Sequence, residues 1–219
     1  GSNYARQVNT LIGTKGVGLT SGYLYPGATY PYGMVQFTPS YFSKRSGFVI
    51  NQLSGGGCEH MGNFPTFPVK GKLKMSPDNI LNYRINISEE KGHAGYYEAK
   101  VQEDIHAKLT VTERTGMASY EYPADQQYGT VIIGGGISAT PIEQAAIVIT
   151  APNKCEGYAE GGNFCGLRTP YKVYFVAEFD TDAFETGTWK REELMPNTTF
   201  AEGEYSGVYF TFDVNKKKN

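Results

Sequence analysis

The sequence predicts an all-β fold, a large antiparallel β-sandwich with few or no helices. Three observations carry this. The 219 residues are rich in aromatics (17 Tyr and 12 Phe), which with Val and Thr suit pleated, half-buried surfaces. The 27 glycines and 11 prolines fall between short apolar runs, at the spacing of strands joined by turns. Only one short stretch, 190–195, has the composition of a helix.

Taken in order, residues 3–12 read as a short lead-in helix or strand, and 13–22 as a Gly/Thr/Ser loop. Lys15 lies among glycines there, but the spacing is not that of a phosphate-binding loop and no helix-forming run follows. Residues 25–40 hold a short apolar run, Met34 to Phe37, bounded by prolines, which is a strand signature. Residues 46–53 form the next strand and deliver the chain into three consecutive glycines at 55–57. A strand is expected over 67–75, then a polar irregular stretch over 76–91.

From residue 96 the pattern becomes regular. Strands are predicted at 96–102, 106–112, 117–122, 130–133, 145–150, 171–179 and 208–212. In the second of these, Ala107, Leu109 and Val111 share one face and His106, Lys108, Thr110 and Thr112 the other. In 171–179, Tyr171, Val173, Phe175, Ala177 and Phe179 share a face.

Composition excludes several functions. The net charge of −2 gives no footprint for nucleic acid or an anionic membrane. No run of apolar residues is long enough to span a bilayer as a helix. The chain opens on Gly1 and Ser2, which reads as a tag-cleavage scar, so removal of a leader is expected. Of three cysteines, Cys155 and Cys165 flank a Gly-rich loop and can bridge in an oxidising compartment; the sequence leaves that pairing open. Their spacing does not suit a zinc ribbon, and three histidines leave few metal ligands.

The chemistry-bearing stretch is 54–60, SGGGCEH, where Cys58, Glu59 and His60 supply a thiol, a carboxyl and an imidazole beside a flexible backbone. A nucleophile–base pair needs both groups within hydrogen-bond reach and a third group to orient the base. A glycine turn does not enforce that, so a buried Cys and a surface His is the plainer reading. His93 and His106 read as solvated strand residues. Glu89 with Glu90, Glu103 with Asp104, and Glu192 with Glu193 read as solvated turn charges rather than the paired acids of a glycosidase. Asp180, Asp182 and Glu185 lack the spacing of a calcium loop. By itself the sequence supports a carbohydrate-binding or structural β module more than a complete enzyme.

Four segments, in order, carry a resemblance. They are VNTLIGTKGVG (8–18), YPGATYPYGMVQFTP (25–39), QLSGGGCEHMGNFPTFPVKG (52–71) and GHAGYYEAKVQEDIHAKLTVTERTGMASYEYP (92–123). Together they resemble the N-terminal domain of glycoside hydrolase family 92, exo-acting α-mannosidases. Ile50 and Gln52 stand where the family often has His, and Asn63 where it has Asp.

The resemblance implies a β-sandwich over 1–219 as the N-terminal part of a two-domain glycosidase. A C-terminal (α/α) barrel, absent here, would carry the catalytic acid and base and bind Ca²⁺. The expected reaction is inverting hydrolysis of terminal α-mannosides or N-glycan-type oligosaccharides. This chain would supply no catalytic or metal-binding residue, and would be inert alone with an apolar, aromatic docking face. Its substrate-binding candidates are Tyr25, Ser54, Gly55, Gly57, Cys58, Glu59 and His60. A secreted or periplasmic location is expected. The alternative is a stand-alone carbohydrate-binding or structural β-sandwich.

Overall fold

The computed structural model describes residues 4–15, 28–29, 36–39, 48–53, 61–77, 87–93, 96–111, 115–134, 142–161, 171–203 and 205–215. Among them the chain forms seventeen strands and no helix. The first five are β1 (Tyr4–Lys15), β2 (Ala28–Thr29), β3 (Gln36–Pro39), β4 (Phe48–Leu53) and β5 (Met61–Lys70). A run of hairpins follows: β6 (Ile87–His93), β7 (Tyr96–Val101), β8 (Ile105–Val111) and β9 (Thr115–Pro123). Then come β10 (Tyr128–Gly134), β11 (Ile142–Ala151), β12 (Lys154–Gly161) and β13 (Tyr171–Phe179). The last are β14 (Glu185–Lys190), β15 (Glu193–Pro196), β16 (Phe200–Glu202) and β17 (Ser206–Asp213).

The strands make two antiparallel sheets. One has nine strands in the order β16-β11-β12-β13-β1-β9-β8-β7-β6; the other has eight, β15-β14-β17-β10-β5-β4-β3-β2. They stack edge over matching edge, with β17 against β11 and β16, and β2 and β3 against β8. Alternation explains the interior. Ala107, Leu109, Tyr120, Tyr122, Phe175, Ala177 and Phe179 from the nine-stranded sheet meet Val131, Ile133, Val208, Phe210 and Phe212 from the other. Tyr122 is buried and donates its O–H to Thr130 O at 2.9 Å, so its polar tip is satisfied inside the core.

The eight-stranded sheet is buried on both faces near β10, β14 and β17. On its outer side Val69, Ile132, Trp189 and Tyr209 cluster beneath Leu73, with Leu194 packed alongside. Past Lys70 the chain does not continue the expected strand to 75. It turns at Gly71, with φ +74, and buries Leu73, Ser76 and Pro77.

Several local expectations change. Of the stretch 3–12, the described residues 4–12 belong to a long strand, β1, between β13 and β9. The end of the irregular 76–91 stretch is strand β6, and the Gly-rich stretch after Cys155 is strand β12 as far as Gly161. The helix expected at 190–195 is a hairpin: Lys190 pairs with Glu193, and Arg191 takes φ 52 in the turn. The helix-forming run Lys-Arg-Glu-Glu yields to strand pairing of β14 with β17, since short helices gain little from propensity alone. Cys155 is a free thiol, wholly buried between Ile149 and Ala177 in register, with burial pushing its pKa up; it does not form the bridge considered above.

Candidate substrate rim

The strand ends decide where the predicted site residues emerge. β1 leaves its sheet at Lys15, opposite Tyr174. At this same end β13 begins, β12 finishes, and Ile142 of β11 pairs with Gly161 of β12. β10 ends at Gly134 and β11 begins at Ile142 in the other sheet, as β16 ends at Glu202 and β17 begins at Ser206, which makes this one end of the sandwich. Leu53 pairs with Met61 in the eight-stranded sheet on the Gly134 side of the β5–β10 ladder. The segments 16–27 and 54–60, distant in sequence, therefore leave from strands that end at one rim.

The approach to 54–60 is irregular in a useful way. The β4–β5 register shifts twice, between Val49 and Ile50 and between Ile50 and Gln52. Pro65 sits beside the first shift, where a missing N–H does least harm. Paired irregularities bend and twist a hairpin just before its loop, a placement common beside functional sites. Tyr25, Ser54, Gly55, Gly57, Cys58, Glu59 and His60 themselves lie outside the described residues.

Sequence reasoning missed two side chains at this rim. Arg191, in the β14–β15 turn, and Tyr205, in the β16–β17 turn, are both exposed, with the guanidinium 5.4 Å from the ring centroid. The glycines at 187, 203 and 207 hinted at tight turns in this region, but not at the contact between them.

The outer face of the nine-stranded sheet carries the remaining chemistry. His106 stands between two carboxylates, with Nε2 3.6 Å from Glu98 and Nδ1 3.9 Å from Glu121. Lys91 and Lys108 flank the same acids at 3.8 and 3.9 Å. Tyr96 donates its O–H to Glu98 at 2.6 Å. That bond, helped by His106, Lys91 and Lys108, lowers the Glu98 pKa, while the Tyr96 phenol is pushed up to about 12. A carboxyl held ionised on a flat sheet face is poorly suited to be a general acid, which must carry a proton at working pH. The group reads as a cross-strand ion network, and His106 is half-buried in it rather than freely solvated.

The sign of its pH dependence follows. A depressed carboxyl pKa adds stability above the ordinary carboxylate range, and that stability is lost as pH falls through the folded value. Tyr96→Phe is expected to cost about 0.5 kcal/mol near neutral pH, after solvent screening. Urea midpoints of the two proteins should converge as the pH drops through the acid range; a constant gap would remove Glu98 from the account.

Farther across this face, Met117, Val148, Tyr174 and Phe200 are exposed. Tyr158 and Tyr174 face each other across β12–β13 with centroids 6.3 Å apart, beside Lys15 in register. Among the described residues no group of three or more His, Cys, Asp or Glu is placed to hold a metal ion, and no helix is long and apolar enough to cross a membrane.

A two-sheet antiparallel sandwich with an irregular hairpin at one rim defines a β-sandwich domain. The chain belongs to the family described as the glycosyl hydrolase family 92 N-terminal domain, matched over residues 7–219. A family GH92 α-mannosidase from Bacteroides thetaiotaomicron shares the fold with a TM-score of 0.72, at 23% identity over 87% of this chain and 29% of that one. A family GH92 inverting mannosidase from the same organism gives 0.64, at 21% identity over 86% of this chain and 26% of its own. An uncharacterized secreted glycosidase of Arthroderma benhamiae is 32% identical over 138 residues, 54% of this chain and 17% of that protein. The chain thus spans under a third of the length of these relatives.

Proposed function

We propose that this chain is the N-terminal, non-catalytic β-sandwich of an exo-acting, calcium-dependent, inverting α-mannosidase, forming one domain over 1–219. In this reading it supplies one wall of the sugar pocket and docks an (α/α) barrel that carries the catalytic acid and base. The observation that carries it is the exit of 16–27 and 54–60 from strands ending at one rim, in a chain of the family 92 N-terminal domain. Tyr174, exposed on the strand next to β1 and packed against the partly buried Tyr158, gives aromatic surface of the kind that docking beside this rim calls for.

In inverting hydrolysis one carboxylic acid protonates the leaving oxygen and another activates water on the opposite ring face. Neither role falls to this chain. Its part is to shape the pocket with the glycines at 55–57 and to present Glu59 and His60 to sugar hydroxyls or to the barrel. In this reading calcium belongs to the barrel; among the described residues of this chain no group of three or more His, Cys, Asp or Glu is placed to hold a metal ion. The substrates are terminal α-mannosides or N-glycan-type oligosaccharides, met in a secreted or periplasmic setting. The likeness to a secreted glycosidase supports the location.

The test mixes this chain with a separately expressed barrel and assays an aryl α-mannoside with and without chelator. Activity is expected only in the mixture and is lost on chelation. Glu59→Ala should leave the thermal midpoint of the isolated chain unchanged and lower kcat/KM of the assembled enzyme by about tenfold, equivalent to about 1.4 kcal/mol. Turnover by this chain alone would overturn the assignment of the acids to the barrel.

A further inference from the structure

Among the described residues with positive φ, two at the rim carry side chains that face one another. Arg191 has φ 52 in the β14–β15 turn, and Tyr205 has φ 58 in the β16–β17 turn. Glycine or asparagine holds such backbone with less strain, and a bulky residue there is a genuine outlier. Strained backbone persists where its surroundings over-determine it, and such positions concentrate at binding sites.

The surroundings here do so. Arg191 N–H donates to Tyr205 O at 2.7 Å and ties the two turns together. Ser76 O–H donates to Arg191 O and anchors the hairpin to the buried segment that follows β5. Ser206 Oγ donates to Gly203 O at 2.7 Å and closes the second turn. The outcome is a fixed pair, a guanidinium over a phenol ring, with Tyr205 38% exposed. Both side chains are exposed.

We propose that Arg191 and Tyr205 form an outer saccharide subsite. The face of the Tyr205 ring turned away from the guanidinium would take the C–H face of a pyranose, and the planar fork of Arg191, beside the ring, would donate to vicinal hydroxyl oxygens at the sugar's edge. Pre-setting both groups on hydrogen-bonded turns removes the ordering cost that a weak sugar contact cannot meet. Placement fits an oligosaccharide. β17 lies two strands from β5 in the same sheet, so the Tyr205 turn stands about 10 Å along the rim from the strand that follows 54–60, with the Arg191 turn, between β14 and β15, beyond it. That is the reach of the next sugar units of a chain whose terminal unit occupies the pocket. The proposal rests on the mannosidase reading for the identity of the sugar, a manno-oligosaccharide.

Saturation-transfer NMR on the 219-residue chain with a linear α-linked mannotetraose, and with free mannose as control, tests this without requiring catalysis. Saturation of the tetrasaccharide ring protons is expected for the native chain, with little for mannose. Tyr205→Asn should abolish it, and Arg191→Gly should raise the Kd by about tenfold. Both replacements favour left-handed backbone, so thermal midpoints equal to or above that of the native chain are expected, and any loss is then one of contact rather than of fold. The absence of saturation in the native chain overturns the proposal. So does full saturation in Tyr205→Asn. Variants that keep saturation yet bind the separate barrel less well assign the pair to protein docking, which also overturns it. Saturation that survives alongside an inactive barrel mixture condemns the mannosidase reading and leaves the subsite standing.

Discussion

Phe210→Ala is expected to lower the unfolding free energy by about 4 kcal/mol, among the largest effects of any single truncation in this chain. Phe210 is wholly buried on the inner face of β17. Its ring lies 4.7 Å from that of Phe179, which comes from β13 in the opposite sheet, and 6.5 Å from that of Phe212. Phe179 is in turn 4.9 Å from Phe212. The three rings fasten the sheets face to face, so removing Phe210 leaves a cavity walled by two ordered strands that cannot collapse into it. For a domain of this size the loss corresponds to a fall in melting temperature of about 10 °C. Phe200→Ala is the control. Phe200 is 54% exposed on an edge strand, and its truncation should cost under about 1 kcal/mol. Equal costs for the two would mean that the aromatic trio does not hold the sheets together.

The parts of the fold legible in the sequence are those where one rule acts alone. In β8 and β13 one face is inside and the other outside, so alternation places Ala107 and Leu109, or Phe175, Ala177 and Phe179, without ambiguity. β10 and β17 are harder to read, because Ile132 and Tyr209 are buried on the outer face as well, and two-sided burial erases the period. In the sequence β12 reads as a loop because its glycines look like turn signals. Gly157 is there because the Phe175 ring crosses it on the neighbouring strand, a tertiary fact with no local mark. The β14–β15 hairpin contradicts the helix propensity of its own residues for the same kind of reason.

The rim was legible only in outline. Motif resemblance points to 8–18, 25–39 and 52–71, and strand register shows that 16–27 and 54–60 leave from strands ending at one end. No periodicity links Lys15 to Leu53; only the closing of two sheets does. Arg191 and Tyr205 illustrate the limit more sharply. Their contact depends on a backbone hydrogen bond between two turns and on left-handed geometry at residues that do not favour it, neither of which single-sequence reasoning can supply.

Gly207→Ala is expected to destabilise the chain by about 3 kcal/mol, although it adds a single methyl group. Gly207 faces Trp189 in the β14–β17 register, and the indole lies over it. Next along the ladder the arrangement reverses, with the Tyr209 ring lying over Gly187. Each ring packs where the opposite strand has no side chain, which lets two large aromatics share a narrow strip of sheet beneath Leu73. A Cβ on Gly207 would come within 3.0 Å of both the Trp189 ring and the carbonyl oxygen of Ile133. The ring can move, at the expense of the outer cluster. The carbonyl cannot, because β10 is held on its other side by β5. A double-mutant cycle separates the two clashes. Trp189→Leu removes the ring but not the carbonyl, so it should recover only part of the Gly207→Ala loss, with a coupling of about 1–2 kcal/mol. Strict additivity of the two changes would show that the indole does not rest on the glycine, and full recovery would show that the carbonyl was never in the way.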